Sequence, residues 1–203
     1  MVQKIRAFHA SRGYTFLGEN FSTDALREAG KSVAYTATIS AAGALLNPFA
    51  ALCTGFTNDG SGLEADLKQF SAWSELVGVK FDNGAMTVLT AFSTCGCSEA
   101  EVVGRCQLLF EHLMKIKKYA ATNMASVFGD NRIVYGRCFI ITEANTQARR
   151  LLETLKTCNL KKGCVFVRPW VVDSEAKQLT YVGNRFELWA RSGFNDIERT
   201  IFE

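Results

Sequence analysis

The sequence predicts an α/β protein: a mixed β-sheet with a βαβαβ core in its C-terminal half, flanking helices, and an N-terminal subdomain of helical and extended segments. Three observations carry this expectation. From about Ala85 to Gly183, short runs rich in β-branched and apolar residues alternate with longer amphipathic runs, the pattern of strands joined by helical crossovers. Ser98-Glu99-Ala100-Glu101 stands immediately before the first amphipathic run and forms a capping box, a helix start. Asn83-Gly84 separates two apolar runs and marks a hairpin, because both turn residues must take positive φ. A hairpin and parallel crossovers coexist in a mixed sheet with an antiparallel edge; α+β is the alternative arrangement.

Taken in chain order, Lys4–Phe8 and Tyr14–Leu17 read as short extended segments around a Ser11-Arg12-Gly13 turn. Ser22, Thr23 and Asp24 offer N-caps to a helix that starts near Asp24 or Ala25. From Ser32 through Asn58 no residue is charged, a length sufficient to span a bilayer. Its apolar members are mainly alanine, and Asn47-Pro48 divides it, so buried helices of a soluble core are expected instead of a membrane span. The Asn58–Gly62 loop divides a single domain, 1–203, into subdomains 1–60 and 63–203. Leu63, Leu67, Phe70, Trp73 and Val77 trace one face of a helix that Gly78 ends, and Val79–Phe81 then pairs with a strand over Ala85–Phe92.

The core follows. Val102, Cys106, Leu109, Leu113 and Ile116 recur at helical spacing, with Lys115, Lys117 and Lys118 crowding the expected last turn. Ile133–Thr142 is the next strand, in which Gly136 and Arg137 suggest a bulge or an edge. Asn145 or Thr146 caps a second helix with an apolar stripe at Ala148, Leu151, Leu152, Leu155 and Cys158, stopped near Asn159. A strand from Cys164 to about Val172 turns over Asp173–Lys177 into a hairpin partner at Gln178–Val182.

Composition narrows the function classes. A hydrophobic fraction of 48% and a charged fraction of 21% are those of a globular protein, not a disordered one. The net charge of +3 is unevenly placed: residues 1–84 hold seven Lys/Arg against eight Asp/Glu, and residues 85–203 hold sixteen against twelve. This mildly basic C-terminal half lacks the dense basic stripe with interleaved aromatics of a nucleic-acid domain, so weak nucleic-acid binding is only a minor alternative. Seven cysteines, most of them in apolar segments, and an N-terminus without a signal-peptide pattern point to reduced thiols in a cytoplasm.

Motifs resolve little further. Gly30-Lys31-Ser32 ends like a phosphate-binding loop, but Ala25 stands where the first glycine is needed. Asp173 with Glu175-Ala176-Lys177 matches part of a metal-dependent nuclease pattern, yet both acids fall in one hairpin turn. The two histidines, His9 and His112, have no metal-ligating partner at a suitable spacing and read as partly exposed structural residues. Cys95-Gly96-Cys97 precedes the Ser98 cap, where backbone amides and the helix dipole favour a thiolate. Open α/β sheets bind ligands beyond the C-terminal ends of their parallel strands. That placement gathers Cys95, Cys97, Glu143 and Asp173 as candidate catalytic groups, and Ser98 and Asn145 as candidate ligand-binding donors. No metal and no cofactor is implied. The expected function is binding of a small molecule or a protein partner without chemistry of its own, with homo-oligomerisation left open; a thiol-dependent enzyme or redox protein using Cys97 is the rival.

Overall fold

The structure, a computed structural model, describes residues 1–17, 69–82, 85–123, 133–184 and 193–203. Several expectations fall outside the described residues: the helix near Asp24, Gly30-Lys31-Ser32, the uncharged run with Cys53, the Asn58–Gly62 loop, Leu63 and Leu67, and the turn residues Asn83 and Gly84.

Seven described strands form one sheet: β1 (Thr15–Phe16), β2 (Leu76–Asp82), β3 (Ala85–Ser93), β4 (Ile133–Thr142), β5 (Lys161–Lys162), β6 (Val165–Asp173) and β7 (Gln178–Tyr181). Their order is β1-β2-β3-β4-β6-β5, with β7 also paired to β6. The helices are α1 (Val2–Ala10), α2 (Glu99–Asn123), α3 (Asn145–Thr157) and α4 (Phe194–Phe202). β2 and β3 are antiparallel, with Val79 opposite Val88 and Asp82 opposite Ala85, as the Asn-Gly signal requires. β3, β4 and β6 are parallel and are joined through α2 and α3. The protein is thus an α/β fold with a mixed sheet and a βαβαβ core.

Parallel strands covered on both faces are expected to be apolar throughout, and β6 is buried along its whole length. Two crossovers stepping the same way across a sheet put their helices on one face. Accordingly α2 and α3 share a core with Val88, Cys138 and Val167, and all five residues of the α2 stripe are buried. The opposite face is covered by the terminal helices, whose Ile5, Phe8, Ile197 and Ile201 pack on Leu89, Phe139 and Trp170. Phe194 and Phe202 also pack there. Lys4 Nζ donates to the Ile201 carbonyl at 3.2 Å, and Glu198 accepts the Leu179 amide at 3.0 Å, tying α4 to α1 and to β7.

Some sequence expectations need correction. Lys4–Phe8 is helical, not extended, because Ile5, Phe8 and His9 fall at i, i+3 and i+4 and bury together. Val77 and Gly78 belong to β2, so the helical residues at 69–71 stop before them. β4 carries neither bulge nor edge: it is central, and its register with β3 runs unbroken from Ile133 to Ile141. Gly136 is there for space, since a Cβ would stand 2.8 Å from Val167 Cγ2 and 3.0 Å from Leu113 Cδ1. α2 continues past Lys115, Lys117 and Lys118, so these lysines do not form its last turn. Finally, Asn145 is the first residue of α3, whose N-cap is Ala144.

Candidate functional site

The parallel strand ends bring the sequence-derived candidates to one side of the sheet. The loop after β3 is tied to β4 by Thr94, whose Oγ1 donates to the Ile141 carbonyl at 3.1 Å and to Gln147 Oε1 at 2.9 Å. Asp173, at the end of β6, is buried and uses both oxygens: Oδ2 accepts from Asn145 Nδ2 at 2.8 Å, and Oδ1 accepts the Ala176 amide at 2.9 Å. Glu175 Oε2 accepts the Asn145 amide at 2.7 Å, capping α3 from the β6–β7 turn. Such a bond satisfies one of the amides that every helix start leaves open. The Ser98 capping box forms as expected, with Glu101 Oε2 taking the Ser98 amide at 2.6 Å and its hydroxyl at 2.8 Å. These two bonds hold the Glu101 carboxyl below its ordinary range.

Asn145, Asp173 and Glu175 are therefore joined in a seam that fastens α3 to the strand ends, while Ser98 is engaged within its own cap. Glu143 is exposed, Cys95 is exposed, and Cys97 is half-buried against the α2 side of the core. Cys95-Gly96-Cys97 is a tight turn, with Gly96 at φ 73° and the Cys97 amide bonded to the Thr94 carbonyl at 2.9 Å. All six described cysteines are free thiols, and no group of metal-ligating side chains occurs among the described residues. No described helix is long and apolar enough to cross a membrane.

Both histidines are buried instead of partly exposed. His112 packs edge-on against Phe70 at 5.2 Å. His9 accepts from Arg137 at 3.1 Å through Nε2, and burial together with the Arg137 charge pushes it down to about 3. Arg137 lies on the terminal-helix face of β4, 4.9 Å from the centre of the Trp170 ring. Burial pulls its pKa down, but Tyr135, Tyr14 and Tyr181 around it more than offset that, so the guanidinium stays charged.

A cavity of about 270 Å³ opens elsewhere, at the outer edge of β6. The edge is interrupted there. β5 pairs with Val165 and Phe166, β7 pairs from Trp170 onward, and the residues between face the gap. Every backbone group in the gap is accounted for: the Val167 amide reaches the Leu160 carbonyl at 2.9 Å, and the Val167 carbonyl accepts from Arg168 Nη1 at 3.2 Å. Pro169 has no N–H to leave exposed, and its carbonyl accepts the Val182 amide at 2.9 Å. Proline and a wrapping arginine thus close an edge that would otherwise template further pairing.

Leu155 and Lys156 of α3 form one wall of the cavity, and Cys158 and Leu160 of the following connection form another. β6 contributes Val167, Arg168 and Pro169, and the chain leaving β7 contributes Val182, Gly183 and Asn184. Gly183 lets that chain cross the arginine stem: a Cβ would lie 2.6 Å from Arg168 Cδ. Burial raises the Cys158 thiol above its ordinary range. None of these lining residues was among the candidates taken from the sequence. The signal was present in Arg168-Pro169, a charge and a ring-locked residue inside an otherwise apolar strand, which marks an edge with special use.

Compared with known proteins, the chain matches no family model, no curated protein and no solved structure.

Proposed function

We propose that this chain is a binding domain without chemistry of its own, and that it takes a small molecule in the cavity at the interrupted edge of β6. The cavity is the observation that carries the reading. Its volume of about 270 Å³ lies just below the usual range of small-ligand pockets, and aliphatic and polar groups share its walls. Those walls belong to α3, β6 and the chain after β7, elements fixed by the sheet and by the first core.

The chemistry of the lining favours holding over transforming. With its pKa raised by burial, Cys158 is a protonated thiol at neutral pH and a poor nucleophile. Glu153 pairs with Lys156 at 2.7 Å, and Asp173 and Glu175 are engaged in hydrogen bonds at the strand ends. A concave site also suits a small molecule better than the flat face of a protein partner. Soaking crystals with a library of small fragments tests this. Ordered fragment density in the cavity is expected; density confined to other surfaces would contradict the proposal.

A further inference from the structure

We infer that Cys95 and Cys97 are a redox-active thiol pair, which closes a reversible disulfide across Gly96 by exchange with a low-molecular-weight disulfide such as oxidised glutathione. None of these residues lines the edge cavity, so the pair is independent of the binding function proposed above.

The backbone brings the two residues together. The Cys97 amide donates to the Thr94 carbonyl at 2.9 Å, which makes 94–97 a β-turn with Gly96 as its third residue, at φ 73°. Turns with positive φ at that position hold ψ near zero, and the Cα atoms flanking the residue then lie about 5.5 Å apart. Disulfides span roughly 4.4–6.8 Å between Cα atoms, so the turn already has the separation that the bond requires. Both ends of the turn are anchored. Thr94 is bonded to the Ile141 carbonyl through its amide at 2.9 Å and through Oγ1 at 3.1 Å, and Ser98 is held by Glu101 in the capping box. The Cys95 amide is itself bonded to Ser93 Oγ at 3.2 Å.

Access separates this pair from the other close one. The Cys106 and Cys138 sulfurs lie 4.0 Å apart, but both residues are fully buried, out of reach of a soluble disulfide in the folded protein. Cys95 is exposed and Cys97 is half-buried, so Cys95 meets the reagent first and Cys97 resolves the product. The Cys95 thiolate attacks one sulfur of oxidised glutathione, forming a mixed disulfide and releasing one glutathione thiolate. The Cys97 thiolate then attacks Cys95 Sγ, closes the intramolecular bond and expels the second glutathione. The pair gives up two electrons and two protons, and one oxidised glutathione becomes two reduced ones. A disulfide in so small a ring, at an exposed turn, is strained and readily reduced, so excess thiol opens it again.

The test is equilibration of the reduced full chain with mixtures of oxidised and reduced glutathione, followed by acid quenching and tryptic mass spectrometry without reductant. Cys95 and Cys97 fall on one tryptic peptide, 81–105, and Cys106 falls on the next. The expected product is a peptide 81–105 lighter by two hydrogens, restored to its original mass by dithiothreitol. Cys97→Ser cannot complete the second step and should retain glutathione on Cys95 at about tenfold or more the wild-type level. The mass of the wild-type peptide decides the matter even if the variant is destabilised. A wild-type peptide that keeps both thiols, or that retains glutathione to the same extent as Cys97→Ser, would overturn the proposal. Oxidation confined to Cys106 and Cys138 would overturn it as well.

Discussion

Arg137 and His9 meet in the interior, with Arg137 Nη1 donating to His9 Nε2 at 3.1 Å. His9 Nδ1 lies 2.7 Å from the Ile5 carbonyl, which can only accept, so the imidazole carries its proton on Nδ1. A neutral histidine is the only form that serves both neighbours, because an imidazolium would point an N–H at a guanidinium. The contact links the central strand β4 to α1 and places a charged residue in the interior without exposing the sheet.

The sign of the resulting pH dependence is fixed. An unfolded histidine takes a proton near 6.5, whereas folded His9 stays neutral down to about 3. The unfolded state therefore binds the proton first, and stability falls as pH drops from 6.5 towards 3. Between pH 6.5 and pH 5 the expected loss is about 2 kcal/mol, at 1.36 kcal/mol per unit. Urea unfolding of the wild type and of His9→Gln, at pH 7 and at pH 5, checks this. The substitution should flatten the slope over that interval.

Two glycines should respond to alanine with opposite signs. Gly136→Ala places a methyl 2.8 Å from Val167 Cγ2 in the centre of the sheet, and overpacking of this kind costs about 1–3 kcal/mol. Gly104→Ala, inside α2, meets nothing within 4 Å, and gains up to about 1 kcal/mol in helix propensity. Thermal or denaturant unfolding of the two variants measures the difference directly.

These two glycines also show what the sequence made legible. The α2 stripe from Val102 to Ile116 and the strand over Val165–Asp173 could be placed because each has one period and one environment. Gly136 and Arg137 suggest a bulge or an edge, but glycine in a strand also marks close approach, and only the partner atoms decide between the two. An extended reading of Lys4–Phe8 hides the His9 contact, because only a helix brings the i−4 carbonyl of Ile5 within reach. The cavity is legible only in part, since Arg168-Pro169 marks an unusual edge but not the cavity beside it. It is formed where two short strands fail to meet along β6, and that gap depends on pairing register rather than on any local pattern.

The cysteines should separate by exposure. Cys95 is exposed, Cys97 is half-buried, and Cys106 and Cys138 are buried with their sulfurs 4.0 Å apart. The Cys138 contact and burial raise the Cys106 thiol well above its ordinary range. Iodoacetamide at neutral pH should label Cys95 first and Cys97 more slowly, with Cys106 and Cys138 reacting only when the protein unfolds. Labelling of Cys97 ahead of exposed Cys95 would revive the thiol-enzyme alternative.

The most direct test of ligand binding at the interrupted edge is methyl NMR. Leu155, Leu160, Val167 and Val182 carry methyl groups on the cavity walls, whereas Leu179 is buried on the opposite face and serves as a reference. Titration with the fragment best ordered in the soaked crystals should shift the four cavity residues along one saturable curve and leave Leu179 unmoved. Saturable shifts at residues remote from the cavity, with those four unchanged, would contradict the proposed site.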